Sequence, residues 1–161
     1  MAPADSSAAR LTAALAGVGL EVEVRSFAAS TRTSAEAALA IGCQVAQIAK
    51  SIVFKAKPSG RPVLVIASGI NRVDEAKVAA HLGESLGKAD AEFVRARTGF
   101  AIGGVPPAGH TERVVTYIDS DLLALGEIWA AAGTPHSVVK LKADDLVRLT
   151  QGHVLDVRAE R

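Results

Sequence analysis

The chain has 161 residues, 18 of them basic and 17 acidic, for a formal net charge of +1, and it carries a single cysteine. That length suits one domain, spanning 1–161 and burying roughly two thirds of the surface its unfolded chain exposes, and one cysteine excludes an internal disulfide. A near-neutral balance excludes a whole-protein field that attracts nucleic acid, and four Phe, one Tyr and one Trp are too few for a base-stacking platform, so any nucleic-acid contact must come from a local patch.

The opening MAPADSSAAR carries an acid and leads into no apolar core, so it does not read as a secretory signal. No run reaches membrane-spanning length, and with the lone Cys43 this points to a cytoplasmic protein with no membrane partner. Residues 5–16 predict an amphipathic helix, with Asp5 or Ser6 as N-cap and Leu11 and Leu15 four apart on one face. A strand follows at 21–27, then a helix capped by Ser34 and stopped by Gly42.

Residues 47–57 read QIAKSIVFKAK and predict a strand over about 48–56. Alternation places Ile48, Lys50, Ile52 and Phe54 on one face and Ala49, Ser51, Val53 and Lys55 on the other. Lys55 and Lys57 can face water, whereas Lys50 is in phase with the bulky apolar residues. Either its stem reaches an edge or its ammonium awaits an anion in a cavity. PSGR at 58–61 predicts a turn, and PVLVIAS at 62–68 predicts a buried strand that closes a hairpin.

Asp74 and Asp90 are predicted to cap helices ending at Gly83 and Gly99. Residues 98–110, TGFAIGGVPPAGH, resist regular assignment. Strands at 113–118, near 127–131, at 137–141 and at 153–157 follow, with a turn or short helix at 119–125 and a helix at 143–149. Short strands mixed irregularly with short helices predict α+β architecture with a mixed sheet.

His81, His110, His136 and His153 show no metal-ligand spacing, and one cysteine cannot build a thiolate cage. No nucleophile elbow, phosphate-binding loop or dinucleotide fingerprint is present. The remaining local feature is GGVPPAGH at 103–110. Its two prolines lack amide hydrogens and stiffen the loop, confining donors to the amides of Gly103, Gly104, Val105, Ala108 and Gly109. The segment is either a tight surface turn or a rigid set of donors for a developing oxyanion.

The segments QIAKSIVFKA (47–56), VLVIASGINRVDEAKVAAHLG (63–83), KADAEFVRARTGFAIGGVPPAGH (88–110), YIDSDLL (117–123) and the closing stretch 133–157 together resemble the YbaK and prolyl-tRNA synthetase-associated editing-domain family. The resemblance implies a curved, barrel-like mixed sheet flanked by short helices, and hydrolysis of the ester of a mischarged aminoacyl-tRNA without a metal or organic cofactor. The partners it implies are the acceptor end of the tRNA, most often one for proline, and prolyl-tRNA synthetase. Lys50 matches the family's essential lysine, and Gly103, Gly104, Val105 and Pro107 fall in its GxxxP loop.

On that resemblance Lys50 fixes the acceptor end while Gly103, Gly104 and Val105 supply amides, with Pro107 and Gly109 beside the substrate. Asp119 is either an N-cap or the partner of the substrate α-amine, and His136 either a surface residue or a pocket histidine. Lys55, Lys57, Arg95 and Arg97 are candidates for a basic patch facing tRNA. Two other function classes fit the same residues: a non-catalytic module that binds aminoacyl-tRNA, and a hydrolase of small acyl esters.

Overall fold

The computed structural model describes residues 7–20, 24–27, 33–134 and 136–160. The described chain runs α1 (Ser7–Gly17), β1 (Val24–Ser26), α2 (Ser34–Ile41), a 3-10 turn (Val45–Gln47), β2 (Ile48–Lys57), β3 (Pro62–Ser68), α3 (Glu75–Leu82) and β4 (Ser85–Lys88). It continues through α4 (Ala91–Thr98), β5 (Val115–Asp119), α5 (Ser120–Leu123), β6 (Glu127–Ala131), β7 (Ser137–Lys142), α6 (Ala143–Thr150) and β8 (His153–Leu155). The strands make one mixed sheet in the order β1-β7-β6-β2-β3-β5-β8, with β4 added to β2. This is the α+β class with a mixed sheet and short helices that the sequence predicts.

The two apolar runs at its centre form the expected antiparallel hairpin, with Lys50 opposite Ala67 and Phe54 opposite Val63. Residues opposite each other in such a ladder share a face, so the hairpin sorts the core into two layers. On one side Ala49, Val53, Leu64 and Ile66 pack under Leu11 and Leu15 of α1, Val94 of α4 and Leu146 of α6. On the other, Phe54, Val63, Val65 and Tyr117 pack with Val78 of α3 and Val157. Leu11 and Leu15 are almost fully buried, each stabilising the fold by about 2 kcal/mol by area removed from water.

Three local expectations need correction. The cap of α2 is Thr33, one residue before Ser34: its hydroxyl accepts from the Glu36 amide at 3.0 Å, and the Thr33 amide donates to the Glu36 carboxylate at 3.1 Å. Only Thr33 places a glutamate three residues on, and that spacing closes the box. Strand β4 falls in a stretch given no strand, because SLGK has one large apolar residue and no alternation to betray it. The strands predicted at 113–118 and 153–157 are shorter or shifted, at Val115–Asp119 and His153–Leu155. The proposed caps Asp5 and Ser6, and the start of the strand predicted at 21–27, lie outside the described residues.

Candidate functional site

Strand β2 is shielded unevenly along its two edges. Along one edge β3 pairs with it from Ala49 to Lys55. Along the other, β6 pairs only at Ile48 and Ala49, and β4 only at residues 54–57. Among the described residues, 50–53 therefore have no strand neighbour on that side, and a cavity of about 710 Å³ opens over the gap. That volume lies within the roughly 300–1,000 Å³ usual for small-molecule sites.

The pleat of β2 divides the cavity walls. Lys50, Ile52 and Phe54 project to one face, which Lys88 joins because it lies opposite Phe54, and Gly69 and Glu75 also line the cavity. Ser51 and Val53 project to the other face, where Val94 and Val105 belong to the same core layer as Val53, and Ile102 and Gly103 complete the wall.

Lys50 is half-buried and has no ion pair within 4.0 Å among the described residues. Burial lowers its pKa below the ordinary lysine value, and the negative charge of Asp119 partly opposes that shift. Asp119 is fully buried and does not line the cavity. Its carboxylate accepts from the Ser68 amide at 3.0 Å, the Asn71 side chain at 2.8 Å and the Asp121 amide at 2.9 Å. Of the two readings of Asp119, the geometry displays the N-cap, here extended to hold the turn after β3.

The loop after α4 behaves differently along its length. Gly103 and Val105 reach the cavity, and Gly103 has φ +88°, a conformation that disfavours any side chain. Gly104 does not serve as expected. It is buried, and its amide donates to the Ala101 carbonyl at 3.0 Å to close a turn. Pro107 and Gly109 line a separate groove with His110 and Thr111. Gly109 lies so close to α1 that a Cβ would come within 2.9 Å of the Arg10 carbonyl. His110 Nε2 lies 2.8 Å from the Pro106 carbonyl, which can only accept, so His110 carries its proton on Nε2 and pins the loop. Burial lowers the pKa of His110.

His136 is exposed in the turn before β7 and stands outside the cavity lining. Its carbonyl accepts from the Phe27 amide at 2.7 Å. Of the four patch residues, Lys55 and Arg97 share the ring of Phe93, at 5.3 and 5.4 Å from its centroid. Arg97 is also paired with Glu112 at 3.0 Å. Lys57 and Arg95 are exposed. Among the described residues no group of three or more His, Cys, Asp or Glu side chains is placed to hold a metal.

The structure therefore gathers Lys50, Gly103 and Val105 about one cavity and leaves Gly104, Pro107, Gly109, Asp119 and His136 off its walls. It adds Ser51, Glu75 and Lys88, which sequence reasoning did not single out. Lys88 had a legible signal in hindsight, a second lysine beside the small residues of KADAEF. Ser51 and Glu75 had none, because only the split edge of β2 and the close approach of α3 bring them to the cavity.

A model of the aminoacyl-tRNA editing domain family matches residues 28–149. A solved structure described as a "putative trans-editing enzyme for prolyl tRNA synthetase" is 42% identical, superposes with a TM-score of 0.89 and covers 99% of each chain. The "Uncharacterized protein YwhH" of Bacillus subtilis (strain 168) is 29% identical over 78% of this chain and 80% of its own. A proline–tRNA ligase of Limosilactobacillus fermentum is 37% identical over 65% of this chain, a match spanning 19% of the ligase.

Proposed function

The chain belongs to the aminoacyl-tRNA editing domain family, and from that premise we propose that it is a deacylase acting in trans on mischarged tRNA, above all proline tRNA bearing a small wrong amino acid. Water adds to the carbonyl carbon of the aminoacyl ester, the bond from that carbon to the ribose oxygen breaks, and the departing oxygen takes a proton. Free amino acid and uncharged tRNA result. An ester is activated enough that positioning and carbonyl polarisation suffice without a covalent enzyme intermediate.

Lys50 carries this reading: an ammonium at an apolar cavity, without an ion-pair partner among the described residues, awaits an anionic or dipolar ligand. The terminal phosphate or aminoacyl carbonyl of a charged tRNA supplies one. Gly103 and Val105 line the same space, and in this reading their amides polarise the carbonyl while the ribose hydroxyl of the substrate orients the water. Prolyl-tRNA synthetase, the source of such mischarged products, is the partner this activity implies, and the cytoplasm its place of work.

The deciding experiment is a deacylation screen of proline tRNA and several other tRNAs, each charged with alanine, cysteine, serine or threonine. Release of at least one amino acid at catalytic enzyme concentrations, lost in Lys50→Ala, supports the proposal. Tight binding without release in every case would make the protein a carrier of aminoacyl-tRNA.

A further inference from the structure

Ser51 stands in the middle of the unshielded edge of β2, lines the cavity and carries three polar groups that make no bond to β3. Two of them are on the main chain. Ile48 and Ala56 use their main chain toward the β3 side, since the Ile48 carbonyl accepts from Gly69 at 2.8 Å and the Ala56 amide donates to Arg61 at 2.9 Å. Hydrogen-bonded pairs alternate along an antiparallel ladder, so even-numbered residues of β2 bond to β3 and odd-numbered ones point their N–H and C=O the other way. For Ala49 that direction meets β6, and for Lys55 it meets β4. For Ser51 it meets the gap. The third group is the Ser51 hydroxyl, which is buried and has no hydrogen-bond partner among the described residues. A buried hydroxyl left unpaired is costly and calls for an explanation, which a ligand provides.

We propose that Ser51 is the binding residue for the α-aminoacyl group, which docks on the free edge of β2 as a strand residue would. The inference rests on the deacylase reading. An α-aminoacyl ester carries one donor group and one acceptor in the order of a peptide residue. Its ammonium donates to the Ser51 carbonyl and its ester carbonyl accepts from the Ser51 amide, the reciprocal pair that two residues make across an antiparallel ladder. The Ser51 hydroxyl lies on the face of the strand that carries Val53, in the core layer that includes Val105. Recognition by main chain accounts for a site that takes α-amino acids without a buried carboxylate on its walls, Asp119 being committed elsewhere.

The test uses tRNA whose terminal ribose holds alanine through a non-hydrolysable amide, against the same tRNA holding propionate, which lacks only the ammonium. Every phosphate contact is common to both, so the affinity ratio reads the amine. At least tenfold tighter binding of the alanyl form is expected, with the ratio kept in Glu75→Gln; equal affinities, or a ratio abolished by Glu75→Gln, overturn the proposal. Ser51→Pro removes the amide that faces the gap and no bond to β3, and should lower kcat/KM on the ester by about 10–100-fold beyond Ser51→Ala. Equal kinetics for those two variants would also overturn it. If Ser51→Pro fails to fold, the affinity ratio still decides. Ester hydrolysis with equal affinities leaves the deacylase and removes the subsite, whereas a tenfold ratio without hydrolysis does the reverse.

Discussion

Lys50 and Asp119 stand on the same face of the sheet, one on β2 and the other on β5, with β3 between them. Lys50 lies opposite Ala67, and the amide of the next residue, Ser68, donates to Asp119. Two strand spacings separate their backbones by about 10 Å, within reach of a lysine stem. They nevertheless form no ion pair, because the carboxylate is enclosed by three donors and the ammonium stays with the cavity. The aspartate biases the charge of the lysine from a distance and leaves its head available to a ligand.

Lys50→Ala and Lys50→Met should therefore abolish deacylation while leaving thermal stability unchanged or slightly raised, since desolvation of the ammonium burdens the empty protein. The sign follows from the lowered folded pKa. Below it the fold carries a partly buried charge at a cost, and stability rises with pH between that value and the unfolded pKa of about 10.4. Wild type should gain on Lys50→Met across that alkaline window. Melting curves at several pH values beside deacylation rates check both halves, and a large loss of stability with activity retained would refute the assignment.

Asp119→Ala should fail differently, by loss of the fold. Three donors lose a buried acceptor at once, and a cost of about 3 kcal/mol or more is expected. Asp119→Asn should recover part of it, because the amide oxygen can still accept. Denaturant unfolding measures this directly. A stable Asp119→Ala with a selective rise in KM would instead restore the α-amine role for this residue.

The architecture was legible because long apolar alternation and helix punctuation act locally: PVLVIAS is buried wherever it goes, and Asp74, Asp90 and Gly42 cap what they precede or follow. Lys50 was legible for the same reason, as a charge in phase with the apolar face of its strand. Asp119 and Gly104 were not. Whether a carboxylate faces a substrate or three internal donors depends on where β3 turns, and whether an amide is free depends on a turn closing at Ala101. Both are decided by contacts distant in the chain or by loop geometry, which periodicity does not encode.

Within the loop, the two glycines should now separate. Gly103→Ala forces a side chain into φ +88° at the cavity wall and should lower kcat/KM by roughly tenfold to a thousandfold if the amide polarises the carbonyl. Gly104→Ala should act chiefly through packing, because its amide is already bonded to Ala101. Kinetics and melting temperatures for the pair settle it; equal catalytic losses at equal stability would put both amides in the mechanism.

His110 makes the loop sensitive to acid. Its folded pKa is lowered by burial, so its contribution is fully present above the unfolded value of about 6.5 and is lost as pH falls through the folded pKa. Protonation must place a charge among buried groups beside Phe100, although the Nε2 bond to Pro106 can survive it. Wild type should lose melting temperature between pH 7 and 5 more steeply than His110→Gln, an outcome that differential scanning at matched ionic strength would show.

The last prediction concerns salt. With a net charge of +1, only local contacts can release counterions, and roughly two to four phosphates should be engaged, giving a modest fall of log K with log salt. The cavity names which cations count. Lys88 lines it on the same face as Lys50, and neither has an ion-pair partner among the described residues, so each should contribute about one unit of slope before the fractional correction for counterion binding. Arg97 should contribute less, because Glu112 at 3.0 Å already neutralises it and the Gly60 carbonyl holds it at 3.2 Å. Lys88→Ala should thus flatten the salt dependence of tRNA binding while Arg97→Ala leaves it nearly unchanged. Affinity measured from low to moderate salt for wild type and both variants gives the slopes. The reverse ranking would move the tRNA path to the far end of the hairpin, around Phe93, and a slope near zero would point to a small ester as the substrate.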